Sequence, residues 1–162
     1  MKAALAAALI VATLSSACSS VDDERIPSAS VRIEFATIGE WQAYGVAGAL
    51  DYRRFIKSEK QPEGFAYTAA EATGFGGVLL VCSFDNNPLA YDLSCPVEIN
   101  KNTRVYIDTE FNIARCPVCQ STFDVYRTGA PLSGIAADKG YALTRYRVAP
   151  GSGSLSYMLI SH

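Results

Sequence analysis

The sequence predicts an all-β fold, a sandwich or barrel. Three observations carry that reading. Short apolar runs recur at close spacing between Val31 and Ile160, with Gly, Pro and Asn turn signals between them. Two of these runs, 78–84 and 89–93, are separated by Asp85-Asn86-Asn87-Pro88. In that turn Asn accepts a positive φ and Pro stops the ladder, so the pair reads as a hairpin. Beyond residue 30 no segment keeps a helical period for more than about two turns.

Taken in order, Ser30-Val31-Arg32-Ile33-Glu34-Phe35 alternates apolar and polar, the period of a half-buried strand. Residues 40–50, with Trp41 and Tyr44 among glycines and alanines, fit neither period. Residues 51–57 read as a strand or short turn and 58–64 as a polar loop. Residues 65–75, holding Ala66, Ala69, Ala70 and Ala72, read as one helical turn or a loop. Gly76-Gly77 opens the apolar run of the hairpin. Further strands are expected at 104–108, 111–115, 122–126, 141–148 and 155–160. Turns fall at Gly129, Gly134, Gly140 and Gly151-Ser152-Gly153. There is no internal repeat.

The N-terminus has another character. Met1-Lys2 is followed by an apolar run over 3–14, then Ser15-Ser16-Ala17 and Cys18. This is a secretory signal pattern over 1–17. The run is shorter than the roughly 20 residues of a spanning helix. Cys18 after small residues resembles a bacterial lipobox, with Ser15 at the usual Leu position and Leu14 one place early. An ordinary cleaved signal beside a cysteine is the other reading. Residues 18–30 form a polar tether, and 31–162 the folded domain. Asp22-Asp23-Glu24 resembles the surface-export signal of Bacteroidetes-type lipoproteins, or is a solvated linker. The expected location is the cell envelope, as an outer-membrane lipoprotein facing periplasm or surface. Membrane contact is then through lipid on Cys18 alone.

Charge and residue usage exclude several functions. Net charge is −2, with signs mixed along the chain, and no basic block or aromatic–basic stripe points to nucleic acid. Gly74-x-Gly76-Gly77 precedes a strand, so it is no phosphate loop. The sequence holds one histidine, His162, read as a frayed end, which leaves nothing for Ser–His or Cys–His catalysis. Asp92, Glu98 and Asp124 sit on strand or loop positions without forming an acid–base pair. Tyr91, Phe123, Tyr126, Tyr141 and Tyr146 recur at strand spacing, as core residues do. No catalytic residue is assigned and the chain is not expected to be an enzyme. A protein partner is expected, of unknown kind.

Chemistry concentrates in the cysteines. Cys116-x2-Cys119 is one metal knuckle, whereas structural zinc sites usually pair two. Cys82 would have to complete a four-cysteine set. It lies mid-strand near Tyr91 of the hairpin and reads as a small buried hydrophobe. A thioredoxin-like exchange motif needs a helix N-terminus after the second cysteine. Here Phe123 and Val125 alternate as in a strand.

Leu89-Ala90-Tyr91-Asp92-Leu93-Ser94-Cys95-Pro96 resembles the strand and first cluster loop of Rieske ferredoxin-type domains. Cys116-Pro117-Val118-Cys119-Gln120-Ser121-Thr122-Phe123-Asp124 resembles their second loop. Thr128-Gly129-Ala130-Pro131-Leu132 and Ser133-Gly134-Ile135-Ala136 are similar to the region that follows. Leu143-Thr144-Arg145-Tyr146-Arg147-Val148 is similar to the closing strand. The resemblance covers residues 76–162 and lies nearest to Rieske-like lipoproteins of Bacteroidetes; 30–75 match loosely.

It implies a Rieske-like sandwich or barrel with two cluster-type loops. The cysteine positions of the ligand set are Cys95 and Cys116, and the histidine positions are Val97 and Cys119. A Rieske [2Fe–2S] centre takes two cysteines on one iron and two histidines on the other. Val97 offers no lone pair, Gln120 replaces the usual Gly, and Asn100 and Val118 stand where some members carry an extra cysteine pair. Four outcomes stay open. One is a degenerate site in a non-catalytic binding or structural module. Another is an electron carrier with an atypical [2Fe–2S] cluster on Cys95, Cys116 and Cys119. The third is a zinc-stabilised domain, in which Glu98 or Asp124 completes the set. The fourth is no metal, with a disulfide between Cys95 and Cys116.

Overall fold

A computed structural model describes residues 21–152 and 156–162. The signal segment 1–17, Cys18 and the start of the strand expected at 155 lie outside the described residues. The elements are β1 (Val31–Phe35), α1 (Ile38–Tyr44), β2 (Tyr52–Phe55), β3 (Ala72–Thr73), β4 (Val78–Cys82), β5 (Pro88–Asp92), β6 (Tyr106–Asp108), β7 (Ile113–Arg115), β8 (Thr122–Asp124), β9 (Ala130–Ser133), α2 (Ile135–Lys139), β10 (Arg145–Pro150) and β11 (Met158–Ser161). Among the described residues no helix is long and apolar enough to cross a membrane.

The chain is all-β, as expected, and it is built of two sheets. Seven strands run in the order β2-β4-β5-β10-β11-β1-β3, and four in the order β6-β7-β8-β9. The larger sheet curls on itself until its edges meet: the Lys57 N–H after β2 donates to Thr73 Oγ1 on β3 at 3.4 Å.

The uninterrupted run Val78-Leu79-Leu80-Val81-Cys82 has a physical reason. Val78, Leu80 and Cys82 face one core with Phe35, Phe55 and Ile160 inside the curled sheet. Leu79 and Val81 face a second core with Tyr91, Phe123 and Tyr126 between the sheets. A strand buried on both faces loses its polar alternation. β1 has one solvated face and keeps it. Cys82 is buried as expected, yet it pairs with Pro88, and Tyr91 lies opposite Leu79.

The ambiguous segment 40–50 begins as helix α1. Thr37 Oγ1 accepts the Glu40 N–H at 3.1 Å, which caps the first turn, and the Glu40 carboxylate reaches back to accept the Ala36 N–H at 2.7 Å. Trp41 packs edge-on against Phe35, with ring centroids 4.9 Å apart. Residues 65–75 are loop ending in β3, with no helical turn. β9 and α2 carry no strong sequence signal: β9 contains Pro131 and is largely exposed, and α2 is only five residues long. The strand expected over 141–148 starts at Arg145. Before it the chain pairs with the N-terminal segment instead: Ala142 N–H donates to Asp22 O at 2.9 Å, and Asp22 N–H to Gly140 O at 2.8 Å. From Asp22 onward the residues read as tether dock on the domain. Arg25 lies 4.1 Å over the Tyr141 ring and Ile26 is buried.

Candidate metal centre

Two turns meet at one end of the molecule. The first leaves β5 through Leu93 and Ser94. Its base is closed by Cys95 N–H on Thr103 O at 3.0 Å, beside a bridge between Ser94 and Arg104. The second joins β7 to β8 and is closed by Cys116 N–H on Ser121 O at 2.9 Å. β7 and β8 are adjacent in the small sheet, which packs on β4 and β5 through the second core. That packing brings the turns together.

The expected ligand residues Cys95, Cys116 and Cys119 do converge. Their sulfurs all lie within 4.8 Å of one another. Cys95 Sγ stands 3.6 Å from Cys119 Sγ. Cys95 and Cys116, the pair for one iron or for a disulfide, are both free thiols in this structure, as are Cys119 and Cys82. Cys95 and Cys116 are fully buried, and Cys119 lies at the solvent side. Val97, at the other histidine position, packs its side chain against the core.

The thiols differ in acidity. Burial pushes Cys95 well above the ordinary thiol value, against the N–H groups of Glu98 and Val97 that face its sulfur. Burial also raises Cys116, partly offset by the N–H groups of Cys119 and Val118. For Cys119 burial acts in the same direction but is outweighed. The Ser121 hydroxyl and N–H and the two neighbouring thiols bring it below the ordinary value. Sulfur and Ser121 Oγ are 3.3 Å apart.

Some expected participants are elsewhere. Neither Glu98 nor Asp124 brings a carboxylate into the group of mutually close ligand atoms. Asp124 sits in β8, where its carbonyl accepts from Thr128 and Gly129. Cys82 belongs to the other core and cannot be a fourth thiol. His162 is not frayed: its ring packs against Tyr146 at 5.3 Å, and its N–H donates to Val31 O.

Two supports were not read from the sequence. Asp92 is fully buried and accepts from Phe75, Gly76 and Ser94 N–H groups and, at 2.6 Å, from Tyr146 Oη. This knot fixes the chain three residues before Cys95 and raises the Tyr146 hydroxyl, through burial first and the carboxylate second. Gly76 is required there, because a Cβ would stand 2.0 Å from Ser94 Oγ. Ser121 is the second support. Its buried Oγ accepts the Ala136 N–H at 3.1 Å, which ties α2 to the turn that carries Cys119. Only a long-range contact gives either residue its role, so no local pattern could signal it.

The donor set does not fit the [2Fe–2S] group that the resemblance implies. Such a cluster needs its ligands in two pairs, one on each iron. Here one of the four positions is Val97, and the three sulfurs gather about one point. No step is assigned to that cluster.

No family model matches the chain, and no curated protein matches it. Among solved structures it is similar to the ferredoxin of carbazole 1,9a-dioxygenase from Nocardioides aromaticivorans IC177. The TM-score is 0.40 and the identity 17%, over 82% of this chain and 97% of that one. A likeness so distant carries no argument about function.

Proposed function

We propose that this chain is a cell-envelope lipoprotein, anchored through lipid on Cys18, whose Rieske-like domain is a non-catalytic binding or structural module. Its two-iron site has degenerated into a cysteine triad. The order of motifs over residues 76–162 supports the family reading, and the signal pattern ending at Cys18 supports the anchor. The observation that carries the loss of the usual cluster is Val97. Its side chain packs against the core at a position where the resemblance implies a ligand, and among the described residues no further His, Cys, Asp or Glu joins the three sulfurs. The outer membrane is the proposed location, and a protein the proposed partner.

The test is iron and acid-labile sulfide per chain on the full-length protein purified in detergent without oxygen. The expected result is less than one iron and no sulfide. Two irons and two sulfides per chain overturn the reading.

A second reading, an electron carrier with an atypical cluster, is favoured by the backbone N–H groups facing Cys95 and Cys116. Hydrogen bonds to cluster sulfurs are one lever on an iron–sulfur potential. The same measurement separates the two readings.

A further inference from the structure

We propose that Cys95, Cys116 and Cys119 form the three-sulfur face of a site for one thiophilic d10 cation of the zinc(II) class, and that its fourth corner opens beside Glu98. This rests on the degenerate-site reading and deepens it by naming the ligand.

The first ground is spacing. Thiolates on one tetrahedral zinc, at about 2.3 Å from the metal, lie about 3.8 Å apart. Cys95 and Cys119 sulfurs are 3.6 Å apart, and the third lies within 4.8 Å of both.

The second ground is that the two turns repeat one another. Each reads Cys-Pro-Val, at 95–97 and 116–118. Each has a left-handed residue at its fifth place, Ile99 at φ 48° and Gln120 at φ 59°. In each, the N–H groups of the third and fourth residues face the first sulfur. Two facing turns of this kind hold one tetrahedral ion in structural zinc sites, each turn giving its first and fourth residues. In the second turn the fourth residue is Cys119. In the first it is Glu98. The missing second knuckle is therefore present as backbone, with a carboxylate where its second thiol would be.

The Glu98 carboxylate stands outside the close group. The fourth corner consequently takes water or an incoming ligand, as in zinc sites with three protein ligands. Loading converts three thiols to thiolates and passes three protons to solvent. The cation keeps its oxidation state, so no oxidant or reductant is needed.

The test is anaerobic titration of the full-length chain in detergent with cobalt(II) and then zinc(II), beside a thiol count. Cobalt saturates at one per chain with thiolate-to-metal charge-transfer absorption, protects three thiols, and is displaced by zinc. Cys119→Ser loses more than the roughly 100-fold in affinity typical of an outer-shell partner. Glu98→Cys tightens binding by roughly tenfold or more and moves the cobalt spectrum to that of four thiolates. If Cys119→Ser fails to fold, Glu98→Cys and the thiol count still decide. Two cobalt ions per chain, no saturable binding, or a Glu98→Cys spectrum identical to the parent overturns the proposal. No metal and no cluster sinks this inference alone. Two irons with sulfide sink the degenerate-site reading as well.

Discussion

The two sheets do different work. In the larger sheet β4 and β5 are five residues long and pair over five positions, and β4 is covered on both faces. The small sheet is made of strands of three or four residues, with a register shift between β8 and β9. Strands so short hold few ladder bonds of their own. They are kept in place by Phe123, Val125 and Tyr126 packed on Tyr91 and Leu79 of the larger sheet. Stability therefore resides mainly in the larger sheet, and thiol chemistry where the turn after β5 meets the β7–β8 turn of the small one. Val97 and Cys119 sit at the edge of the core that holds the turns, partly buried and packed against it.

Removing Asp92 is the severest test of that division. Asp92→Ala leaves three N–H groups and the Tyr146 hydroxyl without their acceptor, at a cost of about 3–5 kcal/mol. Denaturant unfolding should show that loss as a lower midpoint. A loss under about 1 kcal/mol would mean the knot is not what secures β5 to β10.

The junction between the sheets should also answer to pH. Tyr91 and Tyr126 lie in the second core, and burial pushes both hydroxyls up to about 12. The unfolded chain loses these protons near pH 10 while the folded chain keeps them. Stability is thus fully present below about pH 10 and falls as pH rises toward 12, by about 1.4 kcal/mol per pH unit for each tyrosine. Tyr126→Phe should shallow that slope in melts between pH 9 and 11. An unchanged slope refutes the assignment.

Where the two turns meet, the expected difference is kinetic. In metal-free protein Cys119, lowered and partly exposed, is alkylated first. Cys95 and Cys116, raised and buried, wait for the turns to open. Peptide mapping after a short iodoacetamide pulse reads the order, and equal labelling of all three would show that the two turns do not shield Cys95 and Cys116. The smallest effect is at Gln120. Gln120→Gly relieves a left-handed residue and should gain about 1 kcal/mol or less. A loss there would mean that the Gln120 side-chain bond to Pro117 O outweighs the strain.

Local pattern was enough for the all-β class, the β4–β5 hairpin and the alternation of β1, each of which follows from periodicity and turn residues along the chain. The two cysteine turns were legible through the family resemblance. The short β9 and α2, the docking of 22–26, and the packing of the His162 ring against Tyr146 had no such signal, because their partners are far away in sequence.

The sequence by itself determined which residue types are available for chemistry: three cysteines near two turns, one distant histidine, and a valine where the resemblance implies a ligand. Only the tertiary structure decided that the three sulfurs gather around one point, that Glu98 keeps its carboxylate outside that group, and that Asp92 ties the chain before Cys95 to Tyr146. The physical reason is that coordination depends on distances across a core. Those distances are set when β4 and β5 receive the small sheet, and no spacing along the chain encodes them.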